Sequence, residues 1–187
     1  SRRPAAGGAP LRPQPKKSEL SIRVCHECAA DYCGDIEERL TLFKCACARL
    51  ILPHEPEYLA ALEAAETTVL RGYPAYERRA IVDNGSINLQ SVTEGLSAEI
   101  PGAAAVLALD KAIGETGPAS ASSVINMCLT WARSNARFFG ERSDAAWREM
   151  EALMTLVLDR ILAAETLEDA VAECRKPVRI ASDCVVH

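Results

Sequence analysis

Asp35-Ile-Glu-Glu-Arg-Leu-Thr-Leu-Phe-Lys-Cys-Ala-Cys-Ala-Arg-Leu50 is the stretch that decides the fold class. Ile36, Leu40, Phe43, Cys47 and Leu50 recur at spacings of 4, 3, 4 and 3. That rhythm lines one side of a helix and fits neither face of a strand. Asp35 with Glu38 three residues on is a capping-box pattern, and Pro53 stops the helix.

The same grammar extends in both directions. Upstream, Ser18 suits the N-cap of a helix over about 19–33, with Leu20, Val24, Cys28 and Tyr32 inward. Gly34 supplies a left-handed exit, so the two helices are expected to form an antiparallel hairpin. Downstream, Pro56 opens a helix with Leu59, Leu62 and Val69 inward, ending at Gly72. Residues 71–79 lead into a short helix closing at Asn84-Gly85. Ser86 then caps a helix carrying Leu89, Val92, Leu96 and Ile100, and Pro101-Gly102 separates it from an alanine-rich helix running to Gly114. After the Gly117-Pro118 turn, Val124, Cys128, Trp131, Asn135 and Phe138 mark a long helix to Gly140. Ser143 is expected to cap the next one, whose stripe is Trp147, Met150, Met154, Val157 and Ile161. Thr166 with Asp169 opens a last helix that Pro177 ends.

Composition agrees with an all-α chain. Of 187 residues, 31 are alanine and only 5% are aromatic, which favours helix over strand. The expected architecture is a compact bundle of about eight helices over 18–177, with an N-terminal arm over 1–17 and a short extended C-terminal tail over 178–187. No apolar run approaches the ~20 residues of a membrane span. The first residues contain no apolar signal-peptide core, so the expected location is intracellular, in the cytoplasm or inside a virion.

The arm carries the strongest functional cue. It holds Arg2, Arg3, Arg12, Lys16 and Lys17, no acid, four prolines and a single large apolar residue, Leu11. Residues 18–187 keep 16 Lys/Arg against 26 Asp/Glu, a balance of −10. A cationic arm on an anionic body suits contact with a neighbour's acidic surface or with phosphates. Two basic groups of the body offer further nucleic-acid contacts. Arg71, Arg78 and Arg79 interleave with Tyr73 and Tyr76, combining guanidinium for phosphate with rings for bases. Arg133, Arg137, Arg142 and Arg148 surround the Gly140 turn.

Eight cysteines raise the question of a metal or of disulfides. Cys25-His-Glu-Cys28 is a Cys-x-x-Cys, and in a tight hairpin Cys45 would face Cys25. Cys25, Cys28 and Cys45 are therefore the candidate ligands if a structural zinc is present. The second Cys-x-x-Cys of such sites is missing, and most cysteines fall at apolar helix positions, where a reduced thiol packs as a small hydrophobe. No cofactor is expected. No His-Glu-x-x-His, Gly-x-Ser-x-Gly or phosphate-cradling glycine loop occurs, and clusters such as Glu37-Glu38 fall at helix starts, where the helix dipole favours them.

The leading expectation is a non-enzymatic, self-assembling protein that coats or packages nucleic acid, as viral coat proteins and nucleoproteins do. Its partners would be other copies of itself and an RNA or DNA backbone, with no membrane. The alternatives are a zinc-stabilised regulator and a helical regulator that takes a partner helix in an apolar groove, as Bcl-2 bundles do. The span Val124–Ile161 would supply such a groove. The Asn-Trp-Gly-Arg signature of that family is absent, Thr130-Trp-Ala-Arg133 being a loose echo, so no membership is read from it.

Overall fold

The computed structural model describes residues 18–30, 34–52, 56–85, 103–136 and 142–178. Among them all regular structure is helical: α1 (Glu19–Ala30), α2 (Ile36–Ile51), α3 (Pro56–Leu70), α4 (Ala75–Asp83), α5 (Ala103–Gly114), α6 (Gly117–Ala136), α7 (Ser143–Ala163) and α8 (Leu167–Arg175). The arm, the helix expected over 86–100, the Gly140 turn and the tail beyond Val178 lie outside the described residues.

α2 is the axle of the bundle. At 1.5 Å per residue it is about 24 Å long, and 11 of its 16 residues are buried. It packs on α1, α3, α5, α6, α7 and α8. The expected stripe holds its place, with Leu40, Phe43 and Cys47 inaccessible, but Leu42, Cys45, Ala46 and Ala48 on the other sides are covered as well. A helix enclosed on all sides has no polar face to give to water, so its charged residues must find partners inside.

The expected α1–α2 hairpin is replaced by a wider opening. α1 touches α2 only slightly and packs chiefly on α6, while Arg23 pairs with Asp159 of α7 at 2.6 Å. The perimeter of α2 is filled by its other neighbours, and the apolar edge of α1, Leu20 and Val24, goes to the one place left.

The ends are closed by local chemistry. Ser18 caps α1, its Oγ accepting from the Ser21 amide at 3.1 Å. Thr166 caps α8 through the Asp169 amide at 3.1 Å, as its spacing predicts. Gly72 takes φ +72° after α3, in the left-handed region glycine favours. Two expected caps differ. Asp35 makes no side-chain cap on α2, because Arg39 Nε draws its carboxylate away at 2.7 Å. Ser143 is the first residue of α7, with Arg142 at the N-cap position.

Candidate functional site

Three arrangements concentrate charge or open space in this bundle. The first is built around Glu66 on α3, which lies at 0% exposure. It falls four residues after Leu62 and three before Val69, on the apolar stripe of its helix, so burial of that stripe carries the carboxylate inside. Arg49 Nη2 reaches one oxygen at 2.6 Å and Arg175 Nε the other at 2.6 Å. The Cys174 thiol donates to the same carboxylate at 3.3 Å and to the Leu42 carbonyl at 3.2 Å. One acid thus ties α2, α3 and α8 together. Burial is the largest single influence on Arg49 and opposes its charge, yet the field and hydrogen bond of Glu66, together with the fields of Cys174 and Cys45, outweigh it and hold the guanidinium above its ordinary value.

The second centres on Lys44 of α2, also at 0% exposure. Its Nζ donates to the Glu115 carbonyl at 2.5 Å and to Ser120 Oγ at 2.7 Å. Two turns earlier on the same helix, Glu37 accepts from the Gly117 amide at 2.9 Å. The two side chains clasp the α5–α6 turn from one helix. Burial pulls the Lys44 ammonium down to about 8, against the fields of Cys45, Glu37 and Glu115, while Arg78 pushes it the same way as burial.

The third is an open groove of about 1190 Å³ between α6, α7 and the start of α1. Leu129, Trp147, Ala152 and Leu156 give it apolar walls; Glu19, Glu151, Asp159, Arg133 and Arg148 give it charge. The Arg133 guanidinium sits 5.6 Å from the centre of the Trp147 ring, a cation–π contact.

The residues singled out from the sequence distribute differently from their spacing. Arg71 and Tyr73 are exposed and Tyr76 is 74% exposed, but Arg78 is only 4% exposed. Arg79 turns back over Gly114 to pair with Asp110 at 2.7 Å; an added Cβ at Gly114 would stand 2.8 Å from its Nη1. The Arg71/Tyr73/Tyr76/Arg78/Arg79 group is therefore not one exposed cationic face. Closeness in sequence suggests a single face, but neighbouring residues in a short helix point around the whole axis. Arg2, Arg3, Arg12, Lys16 and Lys17 lie outside the described residues. So does Arg137, while Arg133, Arg142 and Arg148 are exposed.

The zinc candidates do not converge. Cys25 and Cys28 are half-buried on α1, whereas Cys45 is fully buried on α2. Among the described residues no three His, Cys, Asp or Glu side chains are placed to hold a metal ion. The wide opening of α1 away from α2 is the reason. Cys45, Cys47, Cys128 and Cys174 are buried free thiols. Burial pushes Cys45 up to about 12 and raises Cys47 and Cys174 as well, so they remain protonated packing groups rather than nucleophiles.

No family model, curated protein or solved structure matches this chain. Among the described residues no helix is long and apolar enough to cross a membrane.

The buried charges were missed from sequence, although a signal was present. Lys44 follows Leu40 by four and precedes Cys47 by three; Glu66 stands in the same relation to Leu62 and Val69; Arg78 precedes Val82 by four. A charged residue in register with an apolar stripe is carried to the buried side with it.

Proposed function

We propose that this chain is a non-enzymatic helical protein that works by assembly, coating or packaging nucleic acid, with its basic arm contacting neighbouring copies or phosphates. The observation that carries the reading is where the body's cations are committed. Arg49 and Arg175 serve Glu66, Arg79 serves Asp110, Arg23 serves Asp159, and Arg39 donates to the Ile161 and Ala164 carbonyls. These five cations hold the fold, while Arg133, Arg142 and Arg148 are exposed; residues 1–17, with five cations and no acid, are the most segregated positive charge in the sequence.

The test compares the full chain with one lacking residues 1–17, by light scattering and by gel shift on single-stranded RNA and duplex DNA. Loss of large assemblies and a weakened, less salt-sensitive shift are expected on removing the arm. Unchanged assembly together with unchanged nucleic-acid affinity would overturn the reading.

The open groove between the two longest helices supports a second reading, a receptor for one amphipathic partner helix. A groove binder saturates one to one with a helical peptide, and its response does not grow with polymer length.

A further inference from the structure

We infer that the α6–α7 groove is the receptor for the basic arm of a second copy of this chain. The inference rests on the assembly reading above and names its contact. Four observations lead to it.

The first is where the arm is attached. Ser18 and Glu19, the residues that follow it directly, form part of the groove wall. In any association that brings two such walls close, the arm of one copy is released beside the groove of the other.

The second is the match of chemistry. Pro-rich segments dock on aromatic surfaces because their extended shape is set before binding. The groove presents Trp147, which is partly buried, and Leu156 at 41% exposure. The arm presents Pro10-Leu11 and then Arg12-Pro-Gln-Pro-Lys-Lys17. Glu19 and Glu151 of the groove wall suit Arg12, Lys16 and Lys17, and Asp159, already paired with Arg23 at 2.6 Å, is half-exposed and can be shared. Arg133 and Arg148 belong to the Trp147 end, where the facing part of the arm, Pro4 to Leu11, carries no charge at all.

The third is length. Trp147 to Asp159 along α7 is about 18 Å at 1.5 Å per residue. Leu11 to Lys17 in a polyproline conformation is about 19 Å at 3.1 Å per residue. One seat therefore puts Leu11 on the tryptophan while the lysines reach the far acids.

The fourth selects a second copy over the chain's own arm. The assembly reading needs contact between copies, and an arm seated in its own groove would supply none.

The experiment is a charge swap in the full chain, read by sedimentation velocity over a range of concentration and salt. Glu151→Lys reverses a partly exposed groove acid, and the triple variant Arg12→Glu/Lys16→Glu/Lys17→Glu reverses the arm. Each alone should weaken self-association by about tenfold or more, in line with loss of a central contact. Mixed, they should recover association, because the acidic arm of the triple variant finds the charge-reversed groove of the Glu151→Lys chain; far-UV circular dichroism confirms that both remain folded. If Glu151→Lys associates as the parent does while the arm variant does not, the groove is not the receptor and the assembly reading survives. If neither variant changes association, the inference falls, and the assembly reading falls with it when the arm variant's nucleic-acid affinity is also unchanged. A chain monomeric at every concentration, or a groove variant that alters only nucleic-acid binding, also overturns the inference.

Discussion

Glu66 and Lys44 are both completely buried ionic side chains, and the bundle handles them in opposite ways. Glu66 is met by two guanidiniums and a thiol, so its charge is matched by charge. Lys44 is met directly by a carbonyl and a hydroxyl, with no carboxylate among its hydrogen-bond partners, and the fields of Glu37 and Glu115 do not offset its burial. The difference shows in the titration: Arg49 beside Glu66 is held above its ordinary value, while Lys44 is pulled well below its own. Charge pairing across three helices makes Glu66 a crosslink. Dipole solvation makes Lys44 a positioning pin with a standing desolvation cost.

The largest expected effect breaks the Glu66 side of this contrast. Glu66→Ala leaves Arg49 and Arg175 facing each other without their acid, and should cost about 3–5 kcal/mol in urea unfolding. A loss below about 1 kcal/mol would show that the cluster is not a crosslink.

Lys44 gives the next largest effect, and proton linkage sets its sign. Its folded value of about 8 lies below the ordinary 10.5. Between those values the unfolded chain binds more protons than the fold, so this group's contribution to stability is depressed below pH 8 and recovers as pH rises to about 10.5. The full swing is roughly 3 kcal/mol at 1.36 kcal/mol per unit. Cys45, Cys47 and Cys174 act in the other direction: their raised values hold protons in the fold that the unfolded chain loses from about pH 9, and stability falls as pH climbs toward 12. The measurement is therefore the difference between the parent and Lys44→Met across about pH 7–10.5. That difference should shift in the parent's favour as pH rises, and a flat difference would contradict the burial of the ammonium.

A smaller effect is expected at Arg39. Its Nη1 donates at 2.7 Å to the carbonyls of Ile161 and Ala164, which close the end of α7. Arg39→Ala should cost about 2 kcal/mol, from charged hydrogen bonds lost at a buried site. Hydrogen exchange should rise first in the last turn of α7 and around α8. At the bottom of the scale, Tyr76→Ala on the exposed rim should stay within about 0.5 kcal/mol. A zinc chelator should leave the melting temperature unchanged, and a drop would restore the cysteine ligands rejected above.

Much of the helical layout was readable from local pattern. Ser18 and Thr166 cap as their spacing predicts, Pro56 opens its helix, and the Met150, Met154, Val157, Ile161 stripe is buried as a unit. Local pattern failed where two local signals competed. Asp35 has the sequence of a cap, but Arg39 one turn on offers it a charged partner at 2.7 Å and wins. The candidate site was far less readable. Tyr73 and Tyr76 stand at the surface, while Arg78, two residues on, is sealed from water. Spacing reports the angle around a helix; which angles face solvent depends on neighbours that arrive from elsewhere in the chain.

By itself the sequence determined the helical class, the helix starts written in serine, threonine and proline, and the separation of a cationic arm from an anionic body. These follow from interactions within a few residues, or from composition alone. Only the tertiary structure decided that α2 is enclosed on all sides, that α1 leaves it for α6, and that Glu66 joins Arg49 to Arg175 from opposite ends of the bundle's sequence. Those outcomes depend on which surfaces remain uncovered once the other helices have packed, and a buried charge takes whichever partner that packing brings within hydrogen-bonding reach.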